Sequence, residues 1–230
     1  MRADIRRRRR VRWAGIVPVA AAIALAIAGC GQAQVGAAAL YDNQRISAAT
    51  LANEVANLNS AYQVYKSKIQ IPYTPSQMPQ QVLTWMLRFA TADQAAVREG
   101  IHVTPAQAQA QLKLESVRAQ QAGDTLRAVA VLSGLPPDML PQVGEWLAIQ
   151  NELARRLDQG VPPKTAAAQS ALGKAIAHQE CLAARSLNIK VNPQYGGYDY
   201  ATLIVVRVPA TLSAVPLAKK PQLPQLTPKC

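Results

Sequence analysis

The chain has 230 residues and a net charge of +12, with 25 lysine and arginine side chains against 13 aspartate and glutamate. Seven of the arginines and one aspartate stand in the first 29 residues, so the 201 residues that follow carry a net charge of only +6. Much of the charge therefore belongs to the N-terminal segment and does not indicate a nucleic-acid partner. A length of 201 residues is enough for one domain with tails.

The N-terminal segment has the pattern of an export signal. Seven arginines precede an apolar stretch from Trp13 to Ala28, which at 16 residues is short for a membrane-spanning anchor of about 20. Gly29 and Cys30 follow, and the segment resembles a bacterial lipobox, in which the cysteine thiol receives a lipid and the chain is cut just before it. We expect residues 1–29 to be a signal peptide, exported by the Sec or the twin-arginine route. Cys30 would carry the lipid, palmitate for example, and residues 30–36 would tether the protein to the outer, extracytoplasmic face of the cell membrane.

The next elements are predicted to be a β-hairpin and six helices. Asp42-Asn43 favours a tight turn between residues 37–41 and 44–46. Apolar residues from Leu51 to Ile69 recur every three or four positions and predict a helix of about 20 residues, which Ser47 can cap. The other helices are expected from Pro79 to Gly100, from Thr104 to Gln121, from Thr125 to Leu132, from an Asp138 cap to Gly160, and from Lys164 to Leu187.

The pattern changes after the sixth helix. Ile189, Val191 and residues 203–208 are typical of strands and flank a turn at 192–199, and residues 209–230, with five prolines, predict an extended or disordered tail. We therefore expect a mainly α domain at 37–208. Its small β element would join the N-terminal strand region to the C-terminal strands.

Two phrases in this arrangement resemble those of one family. Gly100-Ile101-His102-Val103-Thr104-Pro105-Ala106 opens a helix, and Asn192-Pro193-Gln194-Tyr195-Gly196 stands near the end, with Gln194 where the family has Arg. The chain resembles the SurA N-terminal type of chaperone domain, also called the SurA and trigger-factor peptide-binding domain, and above all its short actinobacterial lipoprotein versions. The resemblance implies a helical domain whose first and late segments meet and which cradles unfolded polypeptides. Helices fill residues 104–187, so the parvulin-type isomerase domain of many relatives is not expected.

Catalytic groups are sparse. His178 and Cys181 lie three residues apart on one helix face, as a Cys-His dyad would, but no third orienting group is in view. Asp93 interrupts the apolar stripe of the second helix, and we expect it to lie at the stripe's edge and to reach water. We therefore predict a protein that is not an enzyme and that has no cofactor and no metal site.

Aromatic residues are the better candidates for binding. Tyr73, Tyr195 and Tyr198 lie in predicted loops, and we expect them to be exposed and to contact client polypeptides, because tyrosine rings suit a surface that binds varied segments. Tyr62, Tyr65 and Phe89 lie on apolar helix stripes and are expected in the core.

The remaining cysteines leave two interpretations. Cys181 and Cys230 are an even pair, which suits a disulfide in an oxidising compartment, but Cys181 is also explained as a small buried helix residue. The function that we expect is a lipid-anchored chaperone-like protein that binds unfolded or exported polypeptides. The alternative is a non-catalytic binding or scaffold lipoprotein of the cell envelope with one dedicated partner.

Overall fold

The computed structural model describes residues 36–207 and Cys230, so the expectations for the signal peptide, Cys30 and most of the tail lie outside the described residues. The described part is mainly α, as predicted, with six helices and two small antiparallel sheets. The helices are α1 (Ala48–Tyr65), α2 (Met78–Glu99), α3 (Pro105–Gln121), α4 (Leu126–Leu132), α5 (Leu140–Leu157) and α6 (Ala166–Ser186). The strands are β1 (Ala37–Tyr41), β2 (Gln44–Ser47), β3 (Lys190–Val191), β4 (Gly197–Asp199) and β5 (Ile204–Val206). Within residues 36–207, no helix combines the length and the apolar character that a membrane crossing requires.

The predicted hairpin forms and occupies two strands of a three-stranded sheet in the order β2-β1-β3. Asp42 takes a φ of 48° in the turn, a left-handed conformation that aspartate tolerates. Leu40 of β1 lies opposite Arg45 of β2 on one side and opposite Lys190 of β3 on the other. The beginning and the late part of the described chain therefore meet in one sheet.

Asn192 continues the contact between the late part of the chain and β1 beyond the end of β3. Its backbone N–H donates to the carbonyl oxygen of Ala38 at 2.9 Å, and its side-chain amide donates to that of Ala37 at 3.0 Å. The turn that follows β3 is thus fixed to β1 by hydrogen bonds from both the main chain and a side chain.

Four of the helices are capped at the N-terminus by a serine or threonine hydroxyl. Each hydroxyl accepts a hydrogen bond from the backbone N–H three residues further on, which satisfies one of the free donors of the first turn. The caps are Ser47, Thr104, Thr125 and Thr165. Ser47 and Thr104 are caps that the sequence predicts, and α2 ends as predicted at Gly100, whose φ is 60°.

Three local predictions are wrong. The first helix ends at Tyr65 and not near Ile69, because the chain tightens into a turn at 66–68. Asp138 does not cap α5, since it lies in a separate 3-10 turn, Pro137–Met139, whose first carbonyl accepts from the N–H of Leu140. Residues 197–199, predicted as part of a turn, form β4 and pair with β5.

Helix α2 is the central element, and its apolar stripe changes along its length. Val82 and Phe89 are buried as expected, but Val97 is 74% exposed. The last turns instead bury three alanines against α5 and α6, so that Asp93 and Val97 lie on the outer side. Small residues at these positions allow the three helices to pack closely.

The core is divided among three clusters that all include α2. The largest joins the inner face of the sheet to α1 and α2, with Leu58 and Leu87 fully buried, and each such leucine contributes about 2 kcal/mol by burial. A second lies among α2, α5 and α6, and a third among α2, α4 and α5. Because α2 belongs to every cluster, it positions the groups described next.

Candidate functional site

An open cleft of about 500 Å³ lies between the N-terminal end of α2 and the turn that follows β3. We name it the Tyr195 cleft. Its lining residues are Ser76, Pro79, Gln80, Pro193, Gln194, Tyr195, Gly196 and Arg207. The Asn-Pro-Gln-Tyr-Gly phrase that carries the resemblance therefore supplies one wall of the cleft.

The wall is built by local hydrogen bonds within that phrase. The side chain of Asn192 accepts from the N–H of Gln194 at 3.1 Å, and its carbonyl accepts from the N–H of Tyr195 at 2.9 Å. Gly196 has a φ of 128°, and a β-carbon there would lie 2.2 Å from the carbonyl oxygen of Val206. Glycine is thus required for the turn to approach β5, and this approach holds Tyr195 at the cleft.

The cleft offers mixed chemistry to a ligand. The Ser76 hydroxyl and the side-chain amides of Gln80 and Gln194 can donate and accept hydrogen bonds, and Arg207 adds an exposed cation. The half-buried ring of Tyr195 adds apolar surface with a polar tip. Groups of this kind can pair with the backbone and side chains of an extended polypeptide.

A second depression, of about 470 Å³, lies between the N-terminal ends of α3 and α5. We name it the α3–α5 groove, and it is lined by Val103, Thr104, Pro105, Ala108, Gln109, Leu112, Pro141 and Glu145. Gly144 allows α5 to approach α3 closely beside the groove, because a β-carbon there would lie 2.6 Å from the carbonyl oxygen of Ala108. The groove is mainly apolar, with the exposed carboxylate of Glu145 at its rim.

Two of the three tyrosines expected to contact clients are buried, so those predictions are wrong. Tyr73 is 8% exposed and donates its hydroxyl proton to the carbonyl oxygen of Val131. Tyr198 is 6% exposed and packs edge-on against the ring of Tyr200 at 5.0 Å. Burial raises the pKa of Tyr73 and of Tyr198 to about 12 in each case. Tyr195 is the one of the three that lines a cleft.

The tyrosines expected in the core lie at its edge. Tyr62 and Tyr65 are half-buried against the largest cluster, and Phe89 is buried at 8% exposure, as predicted. Phe89 lies 5.8 Å from the ring of Trp85, measured between centroids. The aromatic residues of α1 and α2 thus mainly support the fold.

A cluster of aromatic and charged side chains lies among α2, α5 and α6, and sequence reasoning missed it. The guanidinium of Arg88 lies 4.8 Å from the ring centre of Trp85 and 5.9 Å from that of Trp146. Nearby, Glu180 accepts a hydrogen bond from Gln150, and burial raises the pKa of its carboxyl group. These residues come from three helices, and the spacing of Trp85 and Arg88 on one face of α2 is the one local signal.

Three polar groups in or beside this cluster are buried without a well-formed hydrogen bond. Among the described residues, the hydroxyls of Thr91 and Tyr198 and the indole N–H of Trp146 have no partner of good geometry, although the two hydroxyls lie near each other and the indole lies near the carboxylate of Glu180. Such groups lower stability when they stay unpaired. They lie inside the fold and line neither the Tyr195 cleft nor the α3–α5 groove.

Cys181 and Cys230 form a disulfide, with their Cα atoms 5.6 Å apart. The sulfur of Cys181 is therefore not a free thiol, and it cannot act as the nucleophile of a dyad with His178, whose side chain is exposed. Between Gly36 and Arg207, no group of three or more histidine, cysteine or carboxylate side chains is arranged to hold a metal ion.

Asp93 lies on the outer side of α2, where its side chain reaches water as expected. Partial burial of the carboxyl group, followed by the negative charge of Glu145, raises its pKa to about 6. The rim of the α3–α5 groove thus belongs to an acidic region, whereas the Tyr195 cleft carries a cation.

Comparison with known proteins gives no relative: no family model, no curated protein and no solved structure matches the chain. The resemblance to the SurA N-terminal type of domain therefore rests on the two phrases at 100–106 and 192–196 and on the order of the elements around them.

Proposed function

We propose that this is a lipid-anchored, extracytoplasmic chaperone-like protein that binds unfolded or exported polypeptides in the Tyr195 cleft. The observation that carries the proposal is the cleft itself: an open space of about 500 Å³ with an aromatic ring, prolines, side-chain amides and one guanidinium in its walls. The fixed turn at Asn192 keeps these groups in place before a ligand arrives, which reduces the entropy cost of binding.

The chemistry of the walls suits an extended chain rather than one particular side chain. The amides of Gln80 and Gln194 can each both donate to a peptide carbonyl and accept from a peptide N–H. Arg207 would attract carbonyl oxygens and acidic side chains, and the Tyr195 ring would contact apolar ones. Recognition of the peptide backbone explains how one cleft would accept many sequences.

The proposed location rests on the N-terminal pattern that ends at Cys30 and is supported by the disulfide. A disulfide persists in oxidising environments such as the bacterial cell exterior and is rare in the cytosol. The bond between Cys181 and Cys230 therefore accords with export.

The sheet gives further support. The resemblance implies that the first and late segments of the domain meet, and β1 pairs with β3 in this chain. The same contact carries Asn192, and hence the cleft wall, so the proposed binding site depends on this closure.

An aggregation assay tests the proposal. The soluble form, from Gly31 onward, should suppress the aggregation of a heat-denatured model client at a stoichiometric ratio. Arg207→Ala and Tyr195→Ala should weaken the suppression, whereas Arg98→Ala, which removes an exposed arginine at the other end of α2, should not. An absence of suppression by the unmodified chain would contradict the proposal.

A pull-down with the lipidated protein separates this function from that of a dedicated scaffold lipoprotein. Many unrelated exported polypeptides should be captured, and Arg207→Ala should reduce the yield of all of them together. One dominant partner whose capture survives Arg207→Ala would favour the scaffold instead.

A further inference from the structure

The outer face of the three-stranded sheet carries a short row of basic and apolar side chains. Leu40 lies directly opposite Arg45 and Lys190, and side chains of opposed residues in a sheet lie on the same face. Arg45 and Lys190 are exposed and Leu40 is partly exposed. We name this row the basic sheet face.

The neighbouring row shows that the two faces of the sheet differ. Ala39 lies opposite Ile46 and Val191, and Ala39 and Ile46 are buried at 1% and 5% exposure. This inner row packs into the largest core cluster, as expected for an antiparallel sheet with one face in the core and one in solvent. The basic sheet face is therefore on the solvent side of the sheet.

We propose that the basic sheet face rests on an anionic lipid bilayer, an inference that depends on the lipid anchor of the proposed function. The proposal is based on the short segment between Cys30 and the sheet. Cys30 precedes Gly36 by six residues, which span at most about 20 Å even when fully extended. A lipid on Cys30 would therefore hold Gly36 and the strand that starts beside it close to the headgroups.

Arg45 lies at this point of attachment. A β-carbon on Gly36 would come within 3.2 Å of a guanidinium nitrogen of Arg45, so this cation stands beside the first described residue. Lys190 follows across the sheet, opposite the same Leu40. Cations within a Debye length of anionic headgroups, about 8 Å, are attracted to them, and the tether makes even a weak attraction effective.

The basic sheet face thus combines two exposed cations with proximity to the anchor.

The test uses the full lipidated chain in nanodiscs that contain a gadolinium-labelled headgroup, with paramagnetic relaxation of backbone amides as the readout. In phosphatidylglycerol discs, the amide of Leu40 should relax at least about threefold faster than that of Leu114 on α3, because the attraction acts only near the headgroups. The difference should shrink in phosphatidylcholine discs and in R45E/K190E. The control K113E/R118E makes the same charge change on α3, and in this variant the difference between Leu40 and Leu114 should persist.

The single variant Lys190→Glu provides a milder change if the double variant unfolds, and it should reduce the difference in part. Equal relaxation of Leu40 and Leu114 in anionic discs, with lipid present on Cys30, would overturn the membrane contact and leave the anchor intact. A Cys30 peptide whose mass shows no lipid would overturn the anchor and this inference together, but not client binding in the Tyr195 cleft.

Discussion

The Tyr195 cleft and the α3–α5 groove are similar in volume but are built in different ways. The cleft wall is a turn held by backbone and amide hydrogen bonds around Asn192, whereas the groove lies between two helices that Gly144 brings together. The cleft carries the cation of Arg207, and the groove carries the carboxylate of Glu145. A hydrogen-bonded turn fixes the positions of polar groups, while helix packing fixes the shape of an apolar surface.

This difference indicates which of the two sites suits polypeptide recognition. Polar groups in fixed positions can meet the peptide backbone, which is the same in every client, and the cleft has them. The groove offers mainly apolar contact, and its two helices pack closely where Gly144 faces the carbonyl oxygen of Ala108. Substitution of Gly196 should therefore disturb the cleft alone, and substitution of Gly144 should disturb the groove alone.

Gly196→Ala should have the largest effect. The new β-carbon would meet the carbonyl oxygen of Val206 at 2.2 Å, and the φ of 128° is unfavourable for alanine, so the two costs together should lower the free energy of unfolding by about 4 kcal/mol. Urea denaturation measures it. Gly173→Ala is the matched control, because it makes the same change in α6 with no atom within 4 Å and should stabilise by up to about 1 kcal/mol. Equal stability of the two variants would show that the turn is not packed as described.

Reduction of the disulfide should have the next largest effect and should act on neither site. The bond closes a loop with a sequence separation of 49, and its loss should lower the free energy of unfolding by about 2–4 kcal/mol. Because α6 lines neither the cleft nor the groove, the losses caused by Gly196→Ala and Gly144→Ala should be the same with and without reductant. A clear change in either loss would mean that the disulfide supports that site.

Gly144→Ala should be less severe than Gly196→Ala. Its β-carbon would lie 2.6 Å from the carbonyl oxygen of Ala108 and 2.7 Å from the side chain of Leu112, but Gly144, unlike Gly196, has a helical backbone that alanine adopts without strain. We expect a loss of about 2 kcal/mol. In the aggregation assay the variant should remain active at temperatures below its melting point, since the Tyr195 cleft is untouched. Loss of activity in a folded Gly144→Ala protein would indicate that clients bind in the α3–α5 groove and not in the Tyr195 cleft.

The sequence is sufficient to predict the parts of this comparison that depend on local signals. Ser47, Thr104 and Gly100 mark helix ends by their own chemistry, and the spacing from Leu51 predicts a buried helix face. Tyr73 could not be placed in this way, because the carbonyl that accepts its hydrogen bond belongs to Val131, which lies 58 residues away.

The cleft itself depends on long-range contacts in the same way. The phrase around Tyr195 is visible in the sequence, but Arg207 and the start of α2 meet it only after folding. Arg207 lies within the strand-like run at 203–208, and no local pattern around it predicts a role. A residue that lines a site between distant elements has no local pattern from which it could be predicted.

Asp93→Asn should have the smallest effect on stability, because it removes only one charge, which lies near Glu145 at the rim of the groove. The pKa of Asp93 is raised to about 6 in the folded protein, so the folded state keeps this proton at pH values where the unfolded chain has lost it. The stability from that proton is present below about pH 4 and is lost as the pH rises through about 6. At pH 7 the charged carboxylate therefore costs stability, and the substitution should stabilise the protein.

The gain should stay below about 1 kcal/mol, since the side chain reaches solvent and its repulsion from Glu145 is screened. Melting temperatures should be higher for Asp93→Asn than for the unmodified chain at pH 7 and equal at pH 4. The gain should decrease in a Glu145→Gln background, because that change removes the repulsion, whereas Asp138→Asn should give no comparable gain. A gain that is the same at pH 4 and pH 7 would point to packing at α2 as its source and not to charge at the rim of the groove.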